Sequence, residues 1–454
     1  MGFVATLALV TGLIHLYLWK RLVRDTTRRG RWRRVGTVVM LVLALLIPAT
    51  LVGSRAGMNW LAWPGFLWLA VMFYLLVLLL VLELPMLVAK LVMRRAATRR
   101  SAGTPTTEPA VEPAREPTLE PAHQPAREAA LEPALEPALV GAADTGASAD
   151  AGADANADPD VPPPPAAPVE PPTDHDPSRR LLLARGAAIF AGLTAVGVTG
   201  YGVRTVLSPP RVGRVQIPLA KLPRSMDGLR IATVSDIHIG PLAGRAHTER
   251  IVSVINRLDA DIVAVVGDLV DGTVAELGDA AAPLRDLRAK HGSFFVTGNH
   301  EYYSGVEEWV VEVDRLGLRV LQNERQEILA RGGALDLAGV NDPAGEGLGF
   351  ATGPDFAAAL GDRDTSRPVV LLAHQPIQVH EAARHGVDLQ LSGHTHGGQM
   401  VPFNYLVQLE QPVVAGHATI DGTQIYVTNG AGFWGPPVRV GAPPEVVLVE
   451  LRST

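Results

Sequence analysis

The chain has 454 residues, room for about three domains of ~150 residues each, and its mean hydropathy of +0.18 is unusual for a wholly soluble protein. It contains no cysteine, which excludes disulfides, thiolate metal sites, iron–sulfur clusters and a cysteine nucleophile. The formal net charge of −6 is unevenly distributed: residues 1–100 carry 14 basic and two acidic side chains, whereas residues 207–454 carry 20 basic and 29 acidic ones. The acidic balance of the C-terminal part argues against a general nucleic-acid-binding protein.

Three apolar runs precede residue 100, at 3–19, 35–52 and 66–92. A bilayer core about 30 Å thick needs about 20 helical residues, so we predict a region of three transmembrane helices over residues 1–100. The loop 20–34 holds eight Lys or Arg residues, whereas the loop between the second and third runs holds only Arg55. Because basic loops stay cytoplasmic, we expect the N-terminus and the second loop outside the membrane and the loop 20–34 inside.

Glu83 interrupts the third apolar run. A carboxylate within a membrane span is by default a candidate functional group. The structural alternative is a carboxylate near the interface that is capped by the neighbouring helix or paired with Lys90, and we favour this alternative. The near absence of other charges within the runs also argues against a transporter.

Residues 101–178 have a different composition, with 15 acidic residues, two arginines and 17 prolines. Proline recurs at nearly every fourth position from 105 to 137, a density that forbids a helix. Too few apolar side chains are present to offset the entropy cost of ordering this part of the chain. We therefore predict a disordered acidic linker that acts as an extended cytoplasmic spacer.

A fourth apolar span is predicted over residues 179–206, with its start inside and its end outside the membrane. Arg179 and Arg180 open it and partly resemble a twin-arginine export signal, although Leu182 and Ala184 replace the usual Phe and Lys. A basic stop at the membrane edge explains the two arginines equally well, so both interpretations stay open. Either way, the region that follows the span is predicted to lie outside the cytoplasmic membrane.

Residues 207–454 show short apolar runs that alternate with amphipathic stretches, which indicates a layered α/β domain. The predicted strands cover 229–234, 261–266, 293–296, 368–373, 387–391, 424–427 and 446–451. The predicted helices cover 246–258, 275–289 and 306–316, and a β-rich stretch reaches residue 340.

Polar side chains follow five of these strands directly. They are Asp236 and His238, then Asp268, then Asn299, His300 and Glu301, then His374, and finally His394 and His396. Ligands bind at the carboxyl ends of strands in open α/β sheets, so five such ends could converge on one edge. A single Asp or His at a strand end is usually structural. The occurrence of all five groups in order, each after an apolar strand, favours a metal site.

The donors are carboxylates, imidazoles and an amide carbonyl, which suit Mn, Fe or Zn better than Cu(I) or Ca. The seven donor residues are Asp236, His238, Asp268, Asn299, His374, His394 and His396. Seven donors exceed one tetrahedral site. Two divalent ions that share one bridging carboxylate, ~3.5–4 Å apart, are therefore predicted.

These motifs, which end in the sequence GHTHGGQ (393–399), resemble those of the calcineurin-like metallophosphoesterase superfamily, and within it the bacterial membrane-anchored phosphodiesterase branch. The resemblance covers about residues 210–454. It implies a four-layer α/β/β/α sandwich, preceded here by the transmembrane helices and the disordered linker. It also implies a dinuclear metal centre whose bridging hydroxide is the nucleophile.

The resemblance further implies the role of each site residue. Asp236, His238 and His396 are expected to hold one ion, Asn299, His374 and His394 the other, and Asp268 to bridge them. His300 is the expected proton donor to, or stabiliser of, the leaving oxygen, so Asp268, Asn299 and His300 are the predicted catalytic residues. Asp271 and Glu301 are expected to support the ligands. Arg439 could bind a substrate phosphate or form a surface ion pair, and both alternatives stay open.

We therefore expect a multi-pass cell-membrane protein whose extracytoplasmic domain is a metal-dependent phosphoesterase. Among phosphoesterase activities, we expect that of a phosphodiesterase. A lipid or cell-envelope phosphoester is the expected substrate class, because the domain is held close to the bilayer. The rival activities are those of a phosphomonoesterase or of a pyrophosphatase acting on nucleotide-linked glycolipids. A membrane scaffold with a degenerate site is the alternative of another class, and the intact ligand set argues against it. No oligomeric state follows from the sequence.

Overall fold

The computed structural model of the chain describes residues 2–55, 58–102, 177–347 and 353–454. The predicted linker over 101–178 lies almost wholly outside these residues. By its internal contacts the chain divides into two units, one formed by Met1–Val88 with Pro177–Thr454 and the other by Ala89–Asp176. The fold described below is that of the first unit. The predicted domain limits at residues 100, 178 and 206 remain predictions.

The first part of the chain is helical. Its helices are α1 (Gly2–Leu18), which continues as a π-helix over Trp19–Arg24, α2 (Arg31–Arg55), α3 (Ala62–Ala102) and α4 (Pro177–Leu207). Three segments of the described chain are long and apolar enough to cross a membrane: Arg31–Ser54, Asn59–Val88 and Leu181–Leu207. They coincide with three of the four predicted spans. The first predicted span corresponds to α1, whose 17 residues make it the shortest of the four helices.

Glu83 of α3 is paired with the first helical segment. It forms an ion pair with Arg21, and the Tyr17 hydroxyl donates a hydrogen bond to its Oε1 over 2.9 Å. The side chain of Lys90 lies outside the described residues. The sequence offered two structural partners for Glu83, the neighbouring helix and Lys90. The structure shows the first of these, with Arg21 as the partner.

In the described residues from 208 onward, the C-terminal part contains twelve strands. They are β1 (Arg211–Leu219), β2 (Leu229–Val234), β3 (Ile262–Val266), β4 (Ser293–Val296), β5 (Leu318–Val320), β6 (Glu324–Ala330), β7 (Gly333–Gly339), β8 (Val369–Leu372), β9 (Leu389–Ser392), β10 (Gly416–Ile420), β11 (Thr423–Val427) and β12 (Glu445–Ser453). One sheet has the order β1-β12-β2-β3-β4-β5 and the other β10-β11-β9-β8-β7-β6. Strands β2 to β5 run parallel, as do β7, β8, β9 and β11, so their carboxyl ends share an edge within each sheet.

The helices of this part are short. They are α5 (Arg245–Asn256), α6 (Val274–Ala281), α7 (Asn299–Ser304), α8 (Val306–Arg315), α9 (Ala344–Gly347), α10 (Phe356–Leu360), α11 (Val379–Arg384) and α12 (Asn404–Val407). Helices α5, α6 and α8 cover the outer face of the first sheet, and α10 and α11 pack on the outer face of the second. Alternate strand residues such as Ile231 and Leu372 fill the core between the sheets. The predicted four-layer α/β/β/α arrangement is confirmed.

Two strands and the short helices α7, α9, α10 and α12 were not predicted, and one predicted helix changes type. The sequence did not predict β1 or β10, and each is the outermost strand of its sheet, with exposed polar residues that weaken the apolar signal. Only the first part of the predicted helix over 275–289 is α-helical, as α6. The chain continues as a 3-10 helix over Ala282–Asp286. Pro283 accounts for this change, because it lacks the amide hydrogen that an α-helix would use there.

Candidate metal centre

The predicted ligands lie in tight turns that follow the parallel strands. Asp236, His238, Asp268, His394 and His396 all have left-handed backbones, with φ between 48° and 71°. Side chains other than glycine rarely adopt this conformation, which costs on the order of 1–3 kcal/mol for each residue. Such strain is typical of functional sites, where the rest of the fold holds it in place. Here it turns the ligands of both sheets toward one point.

The structure brings the predicted ligands together as three overlapping groups, in each of which the ligating atoms lie within 4.8 Å of one another. The groups are Asp236, His238 and His396; His238, Asp268 and His300; and Asp268, His374 and His394. Asn299 joins the third group, because its Oδ1 lies 3.0 Å from Nδ1 of His394. All seven predicted ligands, together with His300, therefore form one cluster. Asp268 belongs to two of the groups, the position expected of a bridging carboxylate.

In the first group, the imidazole rings of His238 and His396 face each other through their Nε2 atoms. Nε2 of His238 lies 3.0 Å from Nε2 of His396, which in turn lies 3.4 Å from Oδ1 of Asp236. All three side chains are buried. Nδ1 of His238 lies 2.9 Å from Oδ1 of Asp271, a carboxylate that can only accept, so this nitrogen carries the proton. The lone pair of Nε2 therefore faces the cluster, as a metal ligand requires.

His374 shows the same arrangement in the second half of the cluster. Its Nδ1 donates to the carbonyl oxygen of Val266 over 2.9 Å, and its buried Nε2 faces the other members of its group. That Nε2 lies 3.1 Å from Oδ2 of Asp268. Burial would lower the pKa of His374, but the charge of Asp268 and the other carboxylates raises it well above its ordinary value. A site that draws a proton onto a buried imidazole also suits a divalent cation, so these residues fit a metal.

Comparison with known proteins supports this interpretation. The family model described as calcineurin-like phosphoesterase matches residues 229–398, which contain every predicted ligand. An uncharacterized metallophosphoesterase of Helicobacter pylori is 39% identical over 281 residues, which cover 61% of this chain and 74% of that protein. The chain belongs to the metallophosphoesterase family.

Two vertebrate relatives share the membrane character of the chain. Each carries the name transmembrane protein with metallophosphoesterase domain. The Danio rerio protein is 39% identical over 275 residues, or 59% of this chain, and the Bos taurus protein is 37% identical over 289 residues, or 61% of this chain. The chain spans 62% and 64% of the lengths of these two relatives. The superfamily predicted from the sequence motifs is thereby confirmed.

Glu301 of the metallophosphoesterase domain joins two ligand-bearing turns. Its buried carboxylate accepts hydrogen bonds from the backbone N–H groups of Gly298, Asp268, Leu269 and Val270, over 2.6 to 3.3 Å. Burial and the charge of Asp268 raise the pKa of Glu301 to about 7, although the backbone donors oppose this shift. Through these hydrogen bonds Glu301 holds the turn after β3 against the start of α7, as its expected supporting role requires.

Asp271 orients two histidines at once. Its Oδ1 lies 2.6 Å from Nδ1 of His300 and 2.9 Å from Nδ1 of His238. Burial would lower the pKa of His300, but the charge of Asp268 and the hydrogen bond to Asp271 raise it to about 9. His300 therefore carries a proton at neutral pH. Its side chain is 17% exposed, so the proton is also accessible from outside the cluster.

Both predicted roles of Arg439 are wrong. The side chain is fully buried, and its donors are taken up by the carbonyl oxygens of Gly432, His396 and Asn429 over 2.6 to 2.9 Å. Its Nη2 also lies 3.0 Å from Nδ1 of His396. Burial lowers the pKa of Arg439 to about 10, which still leaves it charged at neutral pH. Arg439 therefore fixes a ligand-bearing loop, and no local sequence pattern distinguishes this buried role from a surface one.

Two glycines let the ligands approach one another. A Cβ on Gly298 would overlap Oδ1 of Asp268, and a Cβ on Gly393 would overlap Oδ2 of Asp236. Each glycine comes from a different strand end than the carboxylate that it meets. Close approach of backbone to ligand therefore requires glycine at both positions.

Proposed function

We propose that this chain is a membrane-anchored, metal-dependent hydrolase of phosphodiesters. The main support is the cluster centred on Asp268, in which the buried Nε2 of His374 and the strained turns aim seven N and O donors at one point. Beside it stands His300, whose ring is held by Asp271 through Nδ1 over 2.6 Å. A degenerate scaffold would have no reason to retain all of these donors together.

The donor set supports two ions. Asp236, His238 and His396 would hold one, Asn299, His374 and His394 the other, and Asp268 both. Two divalent ions, when bound, supply Lewis acidity and lower the pKa of bound water. The mixture of imidazole and oxygen donors favours Mn, Fe or Zn.

The chain's own residues can assist the departure of the leaving group. Asp271 holds the His300 ring by Nδ1, so Nε2 is the nitrogen that is free to face a substrate. A protonated imidazole there can donate to the leaving oxygen. Such proton transfer raises the rate of a reaction by about 10²–10⁴-fold.

Charge favours a diester over a monoester. A phosphate monoester carries roughly one more negative charge than a diester at neutral pH. Within the described part of the chain, Arg439 is the only Arg or Lys side chain that contacts a proposed ligand, and its donors are bonded to carbonyl oxygens. A second substrate charge would therefore meet no Lys or Arg side chain at the cluster that is free to bind it.

The helix contacts support an extracytoplasmic domain. The backbone N–H of Arg439 donates to the carbonyl oxygen of Gly202, near the end of α4, over 3.1 Å. Arg185, near the start of α4, donates instead to the carbonyl oxygen of Thr26 in the basic loop, over 3.0 Å. The domain and the basic loop 20–34 thus contact opposite ends of one span. If basic loops stay cytoplasmic, the domain faces outside.

The test is hydrolysis of bis-p-nitrophenyl phosphate and p-nitrophenyl phosphate by the purified full chain, with Mn, Fe or Zn added. We expect faster turnover of the diester. Equal or faster turnover of the monoester would reject the preference for diesters. Asp268→Asn is expected to lower turnover by about 10³-fold or more, because it removes the shared carboxylate. The matched control is Asp279→Asn, at an exposed position on α6. Hydrolysis by the Asp268 variant at the rate of this control would reject the metal-dependent mechanism.

A further inference from the structure

An apolar surface borders the candidate metal centre. The segment 400–409, here called the apolar segment, follows the GHTHGGQ motif directly and contains no charged residue. Its apolar and aromatic side chains point outward: Tyr405 is 64% exposed, Leu406 58% and Leu409 83%. Val401 and Phe403 are exposed as well. Soluble surfaces rarely present so many large apolar groups in one stretch, so this surface is expected to have a partner.

The apolar segment is continuous with the membrane-spanning helices. The ring of Phe403 lies 6.4 Å from the ring of Phe73 on α3, and Met400 packs against the hydrophobic cluster that the spanning helices form. Phe66, closer to the start of α3, lies beside Gly435 of the domain. Phe73 is seven residues further along, or about 10 Å at 1.5 Å per residue. The segment therefore reaches the depth of the apolar part of the span.

The same surface touches the catalytic edge. Gln399, the last residue of the motif, donates from Nε2 to the carbonyl oxygen of Trp434 over 2.9 Å and accepts from the Trp434 N–H over 3.0 Å. The indole of Trp434 is exposed, and its centroid lies 6.3 Å from that of His300. Exposed Trp and Tyr side chains are typical of the membrane–water interface. The hydrogen bonds between Gln399 and Trp434 and the ring contact between Trp434 and His300 thus connect the apolar segment to the catalytic edge.

We infer that the apolar segment and Trp434 lie in the leaflet of the bilayer on the side of the domain, so that the metal centre opens onto the lipid surface. This inference rests on the proposed function for its substrate class: the phosphoester of a membrane amphiphile. The apolar chains of such a substrate stay in the leaflet while its headgroup phosphate reaches Asp268 and His300. A fully water-soluble substrate would need no apolar surface beside the site.

Spin labels test the position of the segment without any use of activity. The chain has no cysteine, so Leu406→Cys and Leu409→Cys each give one labelling site in the full chain. The control is Leu329→Cys on β6, which is 67% exposed and lies beside Ser293 and Gly317, at the strand ends away from the metal centre. In phosphatidylcholine nanodiscs, we expect nitroxides at 406 and 409 to be relaxed mainly by oxygen and the one at 329 mainly by a water-soluble nickel chelate. Labels at 406 and 409 that behave like the one at 329 would overturn the inference.

Kinetics test the substrate class. The variant Leu406→Ser/Leu409→Ser is compared with Leu329→Ser on bis-p-nitrophenyl phosphate in water and on hexadecyl p-nitrophenyl phosphate in phosphatidylcholine vesicles. We expect the ratio of vesicle to water-soluble turnover to fall about tenfold in the double variant, because two leucines leave the apolar phase, and to stay unchanged in the control. An unchanged ratio in the double variant would overturn the substrate class. If the wild-type chain hydrolyses neither ester, the proposed function fails, and the spin labels still decide whether the segment lies in lipid.

Discussion

At the scale of single residues, the site depends on carboxylates whose surroundings assign them different tasks. Asp268 faces His374 within the cluster, Asp271 holds two imidazoles by their Nδ1 atoms, and Glu301 contacts backbone amides only. These three roles follow from what each carboxylate touches, since the side-chain chemistry is the same. Substitutions of one carboxylate at a time should therefore have distinct effects.

Glu301→Gln should both destabilise the domain and slow hydrolysis. The amide has one acceptor oxygen where the carboxylate has two, and its NH₂ group would face backbone N–H donors. Loss of buried acceptors typically costs about 1–3 kcal/mol. The ligand turns that Glu301 joins would also move, so we expect diester turnover to fall about tenfold or more.

The measurements are the thermal unfolding midpoint and diester turnover, with Glu307→Gln, at an exposed position on α8, as the control. A Glu301 variant with the stability and activity of this control would show that the four backbone hydrogen bonds are dispensable.

His247 should make the stability of the domain dependent on pH. It is buried in α5, and its Nε2 donates to the carbonyl oxygen of Ile237. Ile237 lies in the chain between the proposed ligands Asp236 and His238. Burial and the charge of Arg250 lower the pKa of His247 to about 4, from 6.5 in an unfolded chain. Between these values only the unfolded chain binds the proton, so the free energy of unfolding falls as the pH drops through this window. The loss from this group approaches about 3 kcal/mol.

Thermal unfolding at about pH 7.5 and about pH 5 checks this dependence. Glutamine at position 247 can still donate to Ile237 but does not titrate, so His247→Gln should lose less stability between the two pH values than the wild type. His380→Gln, at a more exposed position on α11, serves as the control and should behave like the wild type. An equal loss in the wild type and the His247 variant would contradict the prediction.

At the scale of elements, the close contact between α4 and the domain is the least expected feature. A Cβ on Gly202 would overlap Cγ1 of Val438 and lie 3.3 Å from the backbone nitrogen of Arg439. Arg439 in turn holds the loop of His396. The apolar helix α4 is thus linked to the proposed ligand His396 through Arg439.

Gly202→Val should lower diester turnover about tenfold, because it displaces the loop that holds His396. Gly200→Val on the same helix is the matched control, since a Cβ there meets nothing within 4 Å. The measurement is turnover of bis-p-nitrophenyl phosphate by both variants in the same detergent. Equal activities would show that α4 is an anchor without influence on the site.

The sequence indicated which side chains cluster better than it indicated the residues that position them. Each ligand follows an apolar strand within a few residues, so Asp236 and His374 could be recognised from their neighbours alone. The burial of Arg439 depends on carbonyl groups from three distant turns, and no neighbour of Arg439 indicates it. The partner of Glu83 lies 62 residues away and was missed for the same reason.

At the scale of the whole molecule, the apolar helices up to Val88, α4 and the C-terminal domain form one unit. The first helix and the basic loop contact one end of α4, and the domain contacts the other. The edge strands β1 and β10 escaped prediction, but neither contributes a ligand. The sequence therefore indicated the chemistry of the site, whereas the contacts between α4 and the domain were visible only in the structure.

The most direct test of the central claim is an anomalous-scattering map from crystals of the full chain supplied with Mn. Two peaks ~3.5–4 Å apart are predicted, with Asp268 reaching both. Asp236, His238 and His396 should surround one peak, and Asn299, His374 and His394 the other. A single peak, or no peak with these side chains directed elsewhere, would contradict the account.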